Sequence, residues 1–271
     1  SRVGPADQNR KRRGIMAKPK RVVVISDLHC GHMSGLTPAS FELNGPSPNK
    51  DQRKYIWGWF EKETKSLIGK TDVLIVNGDA VDGKGQASGG TEQIYMSYEQ
   101  QMEMAAEVIN RFKAPSVNMS FGTGYHTGQE EDWEAILARE VAAAKIGDED
   151  NINVNGLVMN YKHHIGGSQV PHGRFTALAR DVVWKYLWAV RGEYPLVDVV
   201  IRSHVHYHAS VSAPGMLAMT MPALQGYGSK YARRLSGTVD IGFVTFEVED
   251  KTNYSWRPHI VRMPFKPARE V

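Results

Sequence analysis

Residues 22–29 read Val-Val-Val-Ile-Ser-Asp-Leu-His, a continuous apolar run that stops on Asp27 and His29. A short β-branched run without alternation is what a strand buried on both faces looks like. Here it delivers a carboxylate and an imidazole at its end. The same device recurs four times along the chain. VLIVN (73–77) leads to Gly78-Asp79, and SVNMSF (116–121) leads to Gly122-Thr123-Gly124-Tyr125-His126. GLVMNY (156–161) leads to the pair His163-His164, and VDVVIRS (197–203) leads to His204-Val205-His206. Strands that end in Asp or His bring distant residues to one rim of a sheet. Carboxylates and imidazoles gathered there suit hard-to-borderline divalent metals. One such segment says little, but five in series point to a two-metal hydrolase.

Working outward, the runs alternate with helical patterns. Asp51 to Leu67 puts Tyr55, Ile56, Trp59, Phe60 and Leu67 on one side. Further helices are expected over Glu92 to Phe112, Glu131 to Ala144 and Arg174 to Val190, with Trp133, Trp184 and Trp188 on core faces. Asn153 to Tyr161 reads as a single strand. After His208 the helices cease, and strands are expected at Ser210–Ser212, Met216–Met221, Gly242–Glu249 and Ser255–Met263. Helix-linked strands followed by helix-free strands make an α/β class. The sequence contains no internal repeat and no domain boundary, so residues 21–271 are expected to form a single domain after a basic tail at 1–20. That tail carries Arg2, Arg10, Lys11, Arg12 and Arg13. It reads either as a solvated segment, in part a leader before Met16, or as a polyanion-binding arm.

Over residues 21–210 the five segments resemble the calcineurin-like metallophosphoesterase superfamily. Its pattern runs D-x-H, G-D, G-N-H, a His at a strand end, and G-H-x-H. Here these are DLH, GD, GTGYH, HH and SHVH. Two departures stand out: the Asn of G-N-H is absent, and Ser203 replaces the Gly of G-H-x-H. The stretch is also similar to versions of the family found in phage genomes. The resemblance implies a four-layer α/β/β/α sandwich with a dimetal site at the strand-end loops of one rim.

It also implies roles. Asp79 takes the bridging position between two divalent ions. Asp27, His29 and His206 serve the first ion, and His163 and His204 the second. Thr123 falls where the Asn ligand would be, or Tyr125 does if the motif is aligned on Gly124. His126 takes the place of the family's catalytic histidine, donating a proton to the leaving oxygen or steadying charge. The pair His163-His164 stays open: strand parity with Leu157, Met159 and Tyr161 prefers His163, and His164 is otherwise substrate-facing or supporting. Asp82 is a candidate for holding a ligand histidine, and His32 and Arg174 are candidates for touching substrate. Imidazole and carboxylate donors without thiolate admit Mn, Fe, Zn, Co or Ni, with Mn placed first.

Composition bounds the rest. The chain has 271 residues, 41% hydrophobic and 23% charged, ordinary values for a globular enzyme. No apolar run approaches the ~20 residues that span a bilayer, so no membrane partner is expected. Cys30 is the single cysteine, which excludes an internal disulfide. A cytoplasmic location is expected, a host's cytoplasm if the chain is phage-encoded. The net charge of +4 and pI near 9.0 admit nucleic acid as a partner, and Lys230, Arg233 and Arg234 form a basic cluster. The expected activity is hydrolysis of phosphate mono- or diesters. Two alternatives remain: a nuclease of the same chemistry, or a weakly catalytic metal-binding scaffold, which only the missing Asn supports.

Overall fold

The computed structural model describes residues 18–128, 131–230, 239–263 and 270. Most of the basic tail, with Arg233 and Arg234, lies outside the described residues. Eleven strands form two mixed sheets. The first has the order β11-β10-β1-β2-β3-β4. It comprises β1 (Lys20–Ile25), β2 (Val73–Asn77), β3 (Ser116–Ser120), β4 (Lys145–Gly147), β10 (Ile241–Val248) and β11 (Tyr254–Val261). The second has the order β5-β6-β7-β9-β8. It comprises β5 (Glu149–Val154), β6 (Leu157–Lys162), β7 (Val199–Arg202), β8 (Ala209–Ala213) and β9 (Met216–Thr220). Strands β1 to β4 run parallel, as do β6, β7 and β9, so their C-terminal ends share an edge within each sheet.

Three separate apolar cores divide four layers. Val23 and Ile25 of β1 face Ile56 and Phe60 of α1 (Lys50–Thr64), Met104 and Val108 of α2 (Tyr98–Asn110), and Leu137 of α4 (Trp133–Glu140). Val22 and Val24 face the other way, onto Leu157, Met159, Val199 and Ile201 of the second sheet. The third core joins Val200 and Ala218 to Leu178 of α5 (Gly173–Val190). The absence of a polar side in β1 is thus explained: both of its faces are cores. The four-layer α/β/β/α sandwich is the one the motif series implies.

The structure corrects three expectations. The strand expected over Asn153 to Tyr161 is a hairpin of β5 and β6. Asn155 and Gly156, with φ of 50° and 92°, make its two-residue turn. An Asn-Gly pair is the residue choice that positive φ at both positions demands, and it lay inside the run. The second helix starts at Tyr98 rather than Glu92, because the Ser97 hydroxyl accepts from the Gln100 amide and caps it. Trp184 is 48% exposed rather than core-facing. Helix α5 is apolar around most of its circumference, and it turns Leu178 and Lys185 inward instead, with the Lys185 ammonium on Glu149.

Candidate metal centre

The parallel strand ends of both sheets meet at one rim, and five of the candidate residues there sit in left-handed backbone. Among the described residues nine non-glycine positions have positive φ. Five of them are Asp27 (50°), His29 (45°), Asp79 (51°), His204 (75°) and His206 (54°). Such a backbone is strained for a side chain, at roughly 1 kcal/mol or more per residue. Backbone pairing holds it: Asp27 N–H donates to Gly78 O at 3.0 Å and His29 N–H to Asp79 O at 2.9 Å. Two glycines make room. A Cβ on Gly122 would stand 2.1 Å from Asp79 Oδ1, and one on Gly78 would stand 2.5 Å from the His163 ring.

Three sets of donor atoms lie within 4.8 Å of one another: Asp27, His29 and His206; His29, Asp79 and His126; Asp79, His163 and His204. All but His204 are buried. Three imidazoles are oriented by hydrogen bonds on the outer nitrogen. His29 Nδ1 donates to Asp82 Oδ1 at 2.7 Å, His163 Nδ1 to Asn77 O at 2.8 Å, and His126 Nδ1 to Asp82 O at 2.7 Å. Their Nε2 atoms are therefore the ones left for the site. Asp79 Oδ2 lies 3.1 Å from His163 Nε2, 3.8 Å from His29 Nε2 and 3.9 Å from His126 Nε2.

These donors fit divalent cations. Asp27 Oδ1 is buried and receives no hydrogen bond, although His206 Nε2 is 3.2 Å away. His29 Nε2 and His206 Nε2 face each other at 3.4 Å. Electrostatics make the same demand. Burial pushes the Asp79 carboxyl up, but His163, His126 and His29 outweigh it and hold it well below the usual carboxylate range. Asp27 is held low by His206 and His163 against the same burial. The His163 imidazolium, despite burial, is pushed up to about 10, chiefly by Asp79. A proton on His163 and a divalent ion answer the same need for positive charge beside Asp79. Partial burial, then the neighbouring His163, pushes half-buried His204 down to about 4.

The third strand-end segment is built in an unexpected way. Gly124–Thr127 forms one helical turn, α3, with Thr123 at its N-cap and His126 N–H on Thr123 O at 2.8 Å. The turn absorbs the residues by which GTGYH exceeds a three-residue motif. The Thr123 amide donates to Asp79 Oδ1 at 2.6 Å. Its hydroxyl lies 3.3 Å from Asp79 Oδ2, 3.2 Å from His204 Nδ1 and 3.5 Å from His163 Nε2. Tyr125 instead lies tilted against His126, with ring centroids 3.9 Å apart.

The other candidates separate cleanly. His163 is buried among the donors, whereas His164 is exposed and lies against the outer side of His204, ring centroids 4.8 Å apart. Asp82 braces His29 and His126 together. His32 is buried in the cleft wall. Arg174 does not line the cleft; its guanidinium covers the Tyr207 ring at 4.3 Å. Cys30 is buried with its thiol on Leu36 O, and burial pushes the thiol up. Lys230 spends its ammonium on Ser88 O and Thr91 Oγ1.

No family model matches the sequence, and no curated protein does either. Solved structures do. The chain is similar to wild-type Vps29 complexed with zinc from Entamoeba histolytica, at 15% identity over 89% of this chain and 98% of that one, with a TM-score of 0.48. It is also similar to an archaeal phosphodiesterase, at 13% identity over 89% and 99%, TM-score 0.47. A third is a predicted phosphoesterase from Streptococcus pneumoniae, at 9% identity over 89% and 99%, TM-score 0.38. These are likenesses of overall fold. The donor geometry rests on this chain's own residues.

One residue of the site was not legible in the sequence. Glu134, in the first turn of α4 and fully buried, accepts from the Ala80 amide at 2.8 Å and the Gly122 amide at 2.6 Å. It clips the loop that carries Asp79 to the loop that carries Thr123. Burial, then the Asp79 charge, pushes its carboxyl up to about 7. An acidic residue early in a helix ordinarily reads as support for the helix dipole, so the pattern held no other signal.

The cleft over these donors is a cavity of about 230 Å³. It is lined by His29, Asp79, His126, His204 and His206, and also by His32, Glu92, Gln93, Tyr125 and Lys230. No helix among the described residues is long and apolar enough to cross a membrane.

Proposed function

We propose that the chain is a calcineurin-like phosphoesterase that hydrolyses phosphate esters with two divalent metal ions. The observation that carries this reading is the set of three donor clusters linked through His29 and Asp79, with the outer nitrogens of His29 and His163 already fixed by hydrogen bonds. Asp27, His29 and His206 would hold one ion, and His163, His204 and the Thr123 hydroxyl the other, with Asp79 between them. Bound there, such ions activate water near neutral pH and neutralise the charge on phosphate oxygens. Mn leads the candidates, with Fe, Zn, Co and Ni also suited to these donors.

The remaining chemistry belongs to the chain. His126, fixed by its bond to Asp82 O, presents Nε2 to the cleft beside Asp79. Protonated on both nitrogens, it delivers the Nε2 proton to the leaving alkoxide, so that a good base need not depart unprotonated. Asp82 keeps His126 and His29 in one frame. Glu134 and the Thr123 amide hold the Asp79 carboxylate where both halves of the site need it. Three buried histidines held by outer-nitrogen bonds are more than a binding scaffold requires, which favours an enzyme.

The test is a panel of bis-p-nitrophenyl phosphate, p-nitrophenyl phosphate and single-stranded DNA, with Mn²⁺ and then the other four metals. Chelator-sensitive hydrolysis of at least one ester is expected. Cleavage of the DNA in preference to both esters selects the nuclease reading. No hydrolysis with any metal sinks the proposal.

A further inference from the structure

Beside the candidate metal ligands, the cleft has a second polar feature that the chemistry above does not use. The segment 30–33, just after His29, lies beside residues 92–94. Met33 N–H donates to Glu92 O at 2.7 Å and Ile94 N–H to Gly31 O at 2.8 Å. This pairing brings two buried side chains to the cleft, His32 at 4% exposure and Glu92 at 6%. Each has one end committed. His32 Nδ1 accepts from the Ser34 amide at 3.0 Å, so the ring proton is on Nε2. Glu92 Oε1 accepts from the Lys230 amide at 2.7 Å. The other ends, His32 Nε2 and Glu92 Oε2, stand 3.8 Å apart. That is too far for a hydrogen bond between them. It is the right span for one oxygen seated between, at ~2.8 Å from each.

We infer that His32 and Glu92 form a subsite for a hydroxyl group on the alcohol portion of the substrate, so that the favoured esters carry a ribose or another polyol. The inference rests on the phosphoesterase reading. The seated atom must accept from Nε2–H and donate to Oε2. A hydroxyl does both; a carbonyl cannot donate, an amide nitrogen cannot accept, and a phosphate oxygen meets the Glu92 charge. A water can fill the position, and a substrate hydroxyl that makes the same two bonds displaces it at little cost. A substrate without the hydroxyl leaves the buried carboxylate poorly served, which is how such sites discriminate.

The experiment compares kcat/KM within matched pairs at one metal concentration. The pairs are a ribonucleoside 5′-(p-nitrophenyl) phosphate against its 2′,3′-dideoxy counterpart, and glycerol p-nitrophenyl phosphate against propyl p-nitrophenyl phosphate. Bis-p-nitrophenyl phosphate, which has no hydroxyl, monitors the underlying hydrolysis. The hydroxylated member of at least one pair is expected to be favoured about 10- to 100-fold, the range of a hydrogen bond to a charged group. In Glu92→Gln and in His32→Phe the ratio should fall to within about threefold of one. Because the ratio is taken within each protein, losses of folded or metal-loaded enzyme cancel. Equilibrium binding of glycerol phosphate against propyl phosphate, by calorimetry, should shift in the same direction. Hydrolysis of bis-p-nitrophenyl phosphate with no preference in either pair overturns the subsite alone. So does a preference that persists in whichever variant folds. Absence of hydrolysis for every probe with every metal overturns the phosphoesterase reading and the subsite with it.

Discussion

The two halves of the candidate centre are built to different standards. The half around Asp27, His29 and His206 is buried throughout, and the Asp82 carboxylate orients His29. It leaves Asp27 Oδ1 without a hydrogen bond, so that oxygen is committed to nothing else. The half around His163 and His204 has one half-buried histidine. Where the family resemblance implies an amide oxygen, it offers the Thr123 hydroxyl, already in contact with Asp79 and His204. A hydroxyl is a poorer cation ligand than a carbonyl or carboxylate. The lesson is that Asp79, common to both halves, supports the weaker one, and that the two ions should behave unequally.

The largest effect should come from removing what the halves share. Asp79→Asn takes away the anion between them and should lower kcat/KM by more than the ~10³-fold that losing one preorganised electrostatic contact can cost. Both ions should be lost, as read by elemental analysis after gel filtration. Full retention of both would show that the halves do not meet at Asp79.

His126→Ala sharpens the comparison from the side of the stronger half, since the His126 donor atom clusters with those of His29 and Asp79. As a general acid, it should matter about 10²-fold or more for alkyl esters and much less for p-nitrophenyl esters, whose leaving group needs little protonation. Metal content should stay at the wild-type level. Equal losses on both ester types would move His126 to positioning or electrostatic duty. Loss of an ion would place His126 among the ligands.

A smaller effect is expected from repairing the weaker half. Wild-type protein dialysed against a graded chelator should release one ion before the other. Thr123→Asn, which supplies an amide oxygen at that position, should hold the later-lost ion and the earlier-lost ion more nearly alike, raising affinity for the weaker one by ~10-fold. Two equally tight sites in the wild type would erase the distinction between the halves.

Much of this centre could be read from the chain because each ligand is local to a strand end. The runs before Asp27 and Asp79 are short and almost wholly apolar, and the one before His204 keeps an apolar centre at Val199, Val200 and Ile201, as strands buried on both faces do. What escaped reading was non-local or degenerate. Glu134 acts through backbone amides of two distant loops, and no spacing encodes that. Positive φ at His204 and His206 has no residue signature, unlike Asn155-Gly156, where the signature was present and lay inside an apparent strand. The apolar surround of α5 hides which side faces the sheet, so Trp184 and Lys185 exchanged the places their hydropathy suggests. His163 and His164 differ by one residue and by the whole depth of the rim.

The weaker half also depends more on the second sheet, since His163 follows β6 and His204 follows β7. A partly buried network braces those strands. Glu149 Oε1 accepts from the Lys185 ammonium, from Tyr194 OH at 2.7 Å and from Asn160 Nδ2 at 2.7 Å. Arg202, the last residue of β7, donates to Asp181 of α5 at 2.5 Å. Burial pushes Glu149 up, but the bonds from Lys185, Tyr194 and Asn160 outweigh it and hold the carboxyl at about 2. A carboxyl lowered on folding stabilises the folded state fully above its unfolded value near 4.3, and that contribution is lost as pH falls toward about 2. Glu149→Gln should therefore lower the melting temperature at neutral pH by about 2–4 °C. The gap to wild type should close as pH drops from about 4.3 to about 2. At pH 7 the variant should release the ion of the His163 half more readily and leave the other unchanged. A gap that stays constant across that pH window would mean that the charge on Glu149 contributes nothing to the brace. Equal release of both ions would mean that the second sheet supports the two halves alike.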